Sequence, residues 1–142
     1  MPYLIDGDNL LGTWRGRDRS HGDRRALAHE LDRAALRMRR RVVTVFDGPE
    51  IPSCGAGVHF AGRGRSADEL ILSILGEQNH RRGWIVVTSD RSLGDRCRHL
   101  GARVERCDRF RRRLEAEPAA EKPQSVDDLD LWLRRFGPDS TE

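Results

Sequence analysis

Apolar residues along this chain fall into short β-branched runs separated by longer stretches of helical spacing. The segments "PYLID" (2–6), "RVVTVFD" (41–47), "GVHFAG" (57–62), "WIVVTSD" (84–90) and "ARVERC" (102–107) have the composition of buried strands. Between the first two, Leu27, Leu31, Ala34 and Met38 recur at helical spacing, and after the third, Leu70, Ile71, Ile74 and Leu75 mark another helix. "SLGDRCRHLG" predicts a short helix closed by Gly101, and "DRFRRRLEAE" one more. Strands that alternate with helices imply an α/β fold, with a mainly parallel sheet covered by helices on both faces.

The pattern breaks at residue 115. "EAEPAAEKPQS" (115–125) combines two prolines, small residues and charges, as linkers do. Beyond it, Ser125 can cap a helix whose Val126, Leu129, Leu133 and Phe136 share one stripe. Such a stripe packs on its own domain, on a partner or on a second subunit. The expected organisation is a domain over 1–114, a linker over 115–125, and a C-terminal amphipathic helix and tail over 126–142.

The strand assignment gives the acids a place in space. Asp6, Asp47 and Asp90 end the first, second and fourth strands, and Asp68 lies in the first turn of the helix after the third. Right-handed crossovers bring all four to the carboxyl edge of the sheet, where open α/β folds bind their ligands. Each acid alone has a structural explanation. Asp68 sits in a capping-box segment, "SADE", Asp47 in a turn-forming "FDGPE", and Asp90 where a helix cap would stand. Together they repel, so the cluster must take up protons or hold a cation. All-oxygen donors favour Mg²⁺ or Mn²⁺, ions that neutralise a phosphodiester and activate water.

Charge adds a permissive signal. The chain of 142 residues carries a net +3, yet from Glu115 onward three basic residues face eight acids, a balance of −5 that leaves +8 on residues 1–114. The basic body is arginine-rich, which suits phosphate contacts but also follows from genome composition. Cys54, Cys97 and Cys107 lack the spacing of a zinc site or a disulfide framework. No apolar run approaches a membrane span and no export signal is visible, so a cytoplasmic location is expected.

"LIDGDNLL", "VTVFDGPE", "HFAGRGRSADELI" and "IVVTSDRSLGDRCRHLGARV", in this order, resemble the NYN domains of the PIN-like ribonuclease superfamily, most closely the YacP-like branch. The resemblance covers residues 2–114. It implies a three-layer α/β/α sandwich and a Mg²⁺- or Mn²⁺-dependent endoribonuclease acting on single-stranded RNA, including mRNA on translating ribosomes. By position, Asp6, Asp68 and Asp90 match the metal-holding acids, with Asp95 a further one. Asn9 matches a residue that orients a metal-bound water or the scissile phosphate. Asp47 matches an acid after the second strand, and Ser89 the small hydroxyl residue before the third ligand. Two departures stand out: an aromatic is usual where Asp8 stands, and the chain is short between its first two strands and around the third. Asp8 either adds charge to the site or faces solvent, and the missing segments bear on ribosome docking.

Substrate contacts are expected from Arg63 and Arg65 in the glycine-rich "AGRGRS", from Arg91 beside Asp90, and from Trp14 as a base-stacking platform, unless it packs on its own domain. A monomer or weak homodimer is expected. Two other readings stay open. One is a non-catalytic RNA- or ribosome-binding module of the same fold. The other is a haloacid-dehalogenase-like phosphatase, in which Asp6 would be the nucleophile and Asp8 the acid/base; that family wants a late lysine, and the only lysine here is Lys122.

Overall fold

The computed structural model describes residues 1–116. The chain divides into two compact units, Met1–Arg111 and Arg112–Glu142. The last described helix runs to Ala116, so the rest of the expected linker and the C-terminal helix over 126–142 lie outside the described residues.

Five strands form one sheet: β1 (Tyr3–Asp6), β2 (Val42–Phe46), β3 (Val58–Phe60), β4 (Ile85–Val87) and β5 (Arg103–Glu105). Their spatial order is β3-β2-β1-β4-β5, and every pair is parallel. The helices are α1 (Gly7–Gly12), α2 (His21–Met38), α3 (Ala67–Gly76), α4 (Arg91–His99) and α5 (Cys107–Ala116), with a 3₁₀ turn at Arg81–Gly83. Chain order runs outward from β1 to β3, then returns to β4 and β5 on the other side. Right-handed crossovers therefore place α1 and α2 on one face and α3 and α4 on the other. The reversal falls between β1 and β4, which opens a crevice at their carboxyl ends.

Alternation along the strands divides the core. Leu4, Val43, Val45 and Val86 pack with Ile71 and Leu75 of α3 and Leu93 and Cys97 of α4. Tyr3, Ile5, Phe46 and Val87 are buried with the opposite parity, toward the face where α2 presents Leu27, Leu31 and Ala34. Asp6 shares the parity of Leu4, so its carboxylate emerges on the α3–α4 face at the crevice.

Local chemistry sets the helix starts. Ser20 caps α2 by accepting from the Asp23 N–H at 3.1 Å, and Ser66 caps α3 by accepting from the Glu69 N–H at 3.2 Å. The Ser66 hydroxyl also meets the Glu69 carboxylate at 3.3 Å, so the "SADE" capping signal is real. Helix α1 is not announced by periodicity, because its six residues make less than two turns. It demands Gly7: a Cβ there would overlap the Phe46 ring. Among the described residues no helix is long and apolar enough to cross a membrane.

Candidate active site

Asp6 closes β1 and is 5% exposed. Its Oδ2 accepts from Thr88 Oγ1 at 3.0 Å. Burial pushes its carboxyl up to about 7; the Thr88 hydrogen bond opposes this, and the negative charges of Asp68, Asp47 and Asp8 add to it. Near neutral pH this carboxyl therefore takes up a proton far more readily than an exposed aspartate unless a cation takes its place.

Asp68 stands in the first turn of α3, half-buried. Burial raises its carboxyl above the usual range, as do the charges of Asp90 and Asp47, with Arg96 pulling the other way. Among the described residues neither Asp68 oxygen has a hydrogen-bond or ion-pair partner. Asp47 and Asp90 are partly engaged: Asp47 Oδ1 accepts from the Ala67 N–H at 2.8 Å, and Asp90 Oδ1 caps α4 by accepting from the Leu93 N–H at 3.1 Å. Asp90 lies three residues beyond β4 rather than at its last position, because Thr88 and Ser89 intervene.

Thr88 and Asn9 hold this edge together. Beyond its bond to Asp6, Thr88 Oγ1 accepts from the Asp90 N–H at 3.1 Å. Asn9 Oδ1 accepts from the Ser89 N–H at 2.6 Å and from the Cys107 thiol at 3.1 Å, while Ser89 Oγ accepts from the Cys107 N–H at 3.0 Å. Asn9 and Ser89 thus join α1, the β4–α4 turn and the start of α5, and among the described residues the Asn9 amide keeps its N–H donors for other partners.

Asp8 neither faces solvent nor stays an uncompensated charge. It is 2% exposed and takes a two-pronged ion pair from Arg24, Nε to Oδ1 and Nη2 to Oδ2, both 2.9 Å. The same Oδ2 accepts from the Asp47 N–H at 2.9 Å. Sequence reasoning missed Thr88 and Arg24 as parts of this edge. A signal for each existed: Thr88 has the inward parity of Val86, and Arg24 occupies the stripe that continues as Leu27, Leu31 and Ala34.

The residues expected to contact substrate have different local surroundings. Arg63 and Arg65 are exposed on the loop before α3, beside Gly62 and Gly64 at φ of 80° and 78°. Arg91 is exposed at the start of α4. Trp14 carries the Arg17 guanidinium 3.9 Å from its ring centroid, and Arg17 pairs with Glu30 at 2.6 Å, so one face of the indole is covered. Asp95 is 68% exposed, pairs with Arg98 at 3.1 Å, and is not among the charges that press on Asp6 or Asp68.

The donor set fits a hard divalent cation: carboxylate oxygens only, crowded enough to repel, with the nearest arginines spent on Asp8 or acting weakly on Asp68. Among the described residues no group of three or more His, Cys, Asp or Glu side chains is arranged to hold a metal ion. Mg²⁺ asks for less, since it binds through one or two carboxylates and keeps several waters.

No curated protein matches the chain. Two crystal structures of Rae1 (YacP) from Bacillus subtilis, one a single-substitution variant, share its fold. The variant superposes with a TM-score of 0.76 over 99% of this chain and 95% of its own, the other with 0.71 over 99% and 97%, each at 20% identity. A sequence model of the YacP-like NYN domain matches residues 3–130. The sheet order, the carboxylates at its reversal point and this match agree: the fold is of the ribonuclease type, and the chain belongs to the YacP-like NYN domain family.

Proposed function

We propose that the protein is a Mg²⁺- or Mn²⁺-dependent endoribonuclease that hydrolyses single-stranded RNA. The observation that carries this reading is the contrast between Asp8, neutralised by Arg24, and Asp6, which is also buried yet faces further carboxylates and, among the described residues, no arginine at bonding distance. Asp6, Asp68 and Asp90 would hold the ion. Bound there, it would neutralise the phosphodiester and lower the pKa of the attacking water.

The chain's own residues define the rest of the site. Thr88 fixes the Asp6 carboxylate and the Asp90 backbone in one frame. Asp47 fastens the start of α3, and with it Asp68, to the end of β2. The N–H donors of Asn9 are free for a phosphate oxygen. Arg63, Arg65 and Arg91 are placed to grip neighbouring phosphates.

The phosphatase reading needs Asp8 as a mobile acid/base, and a carboxylate clamped by Arg24 and by the Asp47 N–H cannot serve. The test is cleavage of end-labelled single-stranded RNA with Mn²⁺ or Mg²⁺, with EDTA, and by Asp68→Asn. Cleavage that needs both metal and Asp68 supports the proposal. RNA bound but uncut, both free and on translating ribosomes, overturns it in favour of the binding module.

A further inference from the structure

Helices α3 and α4 both start at the carboxylate crevice and both end at the opposite edge of the sheet. The 10 residues of α3 span about 15 Å. Where the two helices end, the 3₁₀ turn before β4 borders a shallow, open hollow of about 670 Å³. Its walls include Gln78, His80, Arg81, Arg82 and His99 and, among the described residues, no carboxylate.

Cations near helix ends are ordinarily explained by the helix dipole. That explanation covers part of Arg81, whose Nη2 donates to the Gly76 carbonyl at 2.8 Å. It leaves Arg81 Nε, which is buried and has no hydrogen-bond partner. It also leaves Arg82, His80 and His99, which are exposed and have no acidic partner among the described residues. The Arg82 stem rests beside Gly101, its Cγ 3.6 Å from where a Cβ would stand, and both residues line the hollow. Positive charge continues along the same edge. Arg41 lies 5.7 Å from the centroid of the Trp84 ring, and the Arg103 N–H donates to the Trp84 carbonyl at 3.0 Å. The sheet thus has an acidic edge and a basic edge, joined by α3 and α4.

We propose that this hollow is a second phosphate-binding site, which holds the backbone of the same RNA strand about one helix length from the crevice. The proposal rests on the function inferred above only for the kind of strand. Two arginines and two imidazole N–H donors suit phosphodiester oxygens, and the lack of carboxylates removes the usual competitor.

The test is fluorescence anisotropy of a labelled 12-nucleotide oligouridylate in EDTA, which separates binding from cleavage. Arg82→Gln with His99→Gln should raise Kd five- to tenfold and flatten the dependence of log K on log salt by about 0.7 for each phosphate no longer neutralised. A control pair on other surfaces, Arg19→Gln with Arg33→Gln, should change Kd less than twofold. Both target side chains are exposed, so equal melting temperatures will show that the variants fold. An unchanged Kd, or an equal weakening by the control pair, overturns the proposal. So does binding of uridine monophosphate or inorganic phosphate that needs Arg82 while the oligonucleotide does not, since the hollow would then serve a free anion. Hollow-dependent binding in EDTA, together with no cleavage in the separate assay with Mn²⁺ or Mg²⁺, would remove the nuclease reading and leave this site standing.

Discussion

Thr88 Oγ1 donates to Asp6 Oδ2 at 3.0 Å, linking the end of β1 to the residue just past β4, 82 positions away in sequence. The bond favours the ionised Asp6 and so works against the burial that raises its pKa. Thr88→Val should therefore move the Asp6 carboxyl above its present value of about 7. The acid limb of the cleavage rate should shift upward by about one pH unit, with activity recovered in alkali. A pH–rate profile with an unmoved limb would show that Thr88 does not tune this group.

Asp6→Asn tests the same crowding through stability. The folded carboxyl titrates at about 7 and the unfolded one near 3.8, so the folded state binds the proton more tightly. The stability Asp6 contributes is full below pH 3.8 and is lost as pH rises through about 7. The whole effect is at most about 4 kcal/mol. In the metal-free protein, Asp6→Asn should raise the melting temperature at pH 8 and change it little at pH 4. A variant that melts lower at both would show that the native carboxylate is compensated.

Arg24→Met leaves Asp8 buried and unpaired, and should cost about 3–5 kcal/mol. Adding Asp8→Asn keeps an acceptor for the Asp47 N–H and should restore most of the loss. Urea denaturation of the two single variants and the double gives the coupling directly. Additive losses would mean that the pair does not act as a unit.

Cys97 and Cys107 are buried, and burial pushes their thiols to about 11 and about 12. At pH 8 the Cys107 thiolate fraction is about 1,000-fold below that of a thiol at the usual value of 9.0. Native protein should resist iodoacetamide at both positions and react in urea. Rapid native labelling of Cys107 would mean that the Asn9–Ser89–Cys107 junction opens.

All five strands and the helices after α1 were legible in the sequence, because β-branched runs and turn-spaced apolar residues are large signals. Helix α1 was not, since six residues give no measurable period and the reason for Gly7 is a ring from another strand. The convergence of Asp6, Asp47, Asp68 and Asp90 was legible because topology alone sends their positions to one edge. What each carboxylate does there was not. Asp8 and Asp6 stand two residues apart in "DGDN", and only the fold decides that an arginine from α2 meets one while a threonine from β4's end meets the other.

The bond from the Ala67 N–H to Asp47 closes a neck, and the Gly62 N–H donates to the Gly48 carbonyl at 2.8 Å just inside it. Between these clasps lies a lobe whose root is held whatever its length. Inside it Ile51 and Cys54 are buried against Ala28 of α2, and the Gly57 carbonyl accepts from the Thr44 N–H at 2.9 Å, so the lobe is anchored within as well as at its root. Only the exposed positions between those anchors, Pro52, Ser53, Gly55 and Ala56, can be resized without retuning the chemistry beside it.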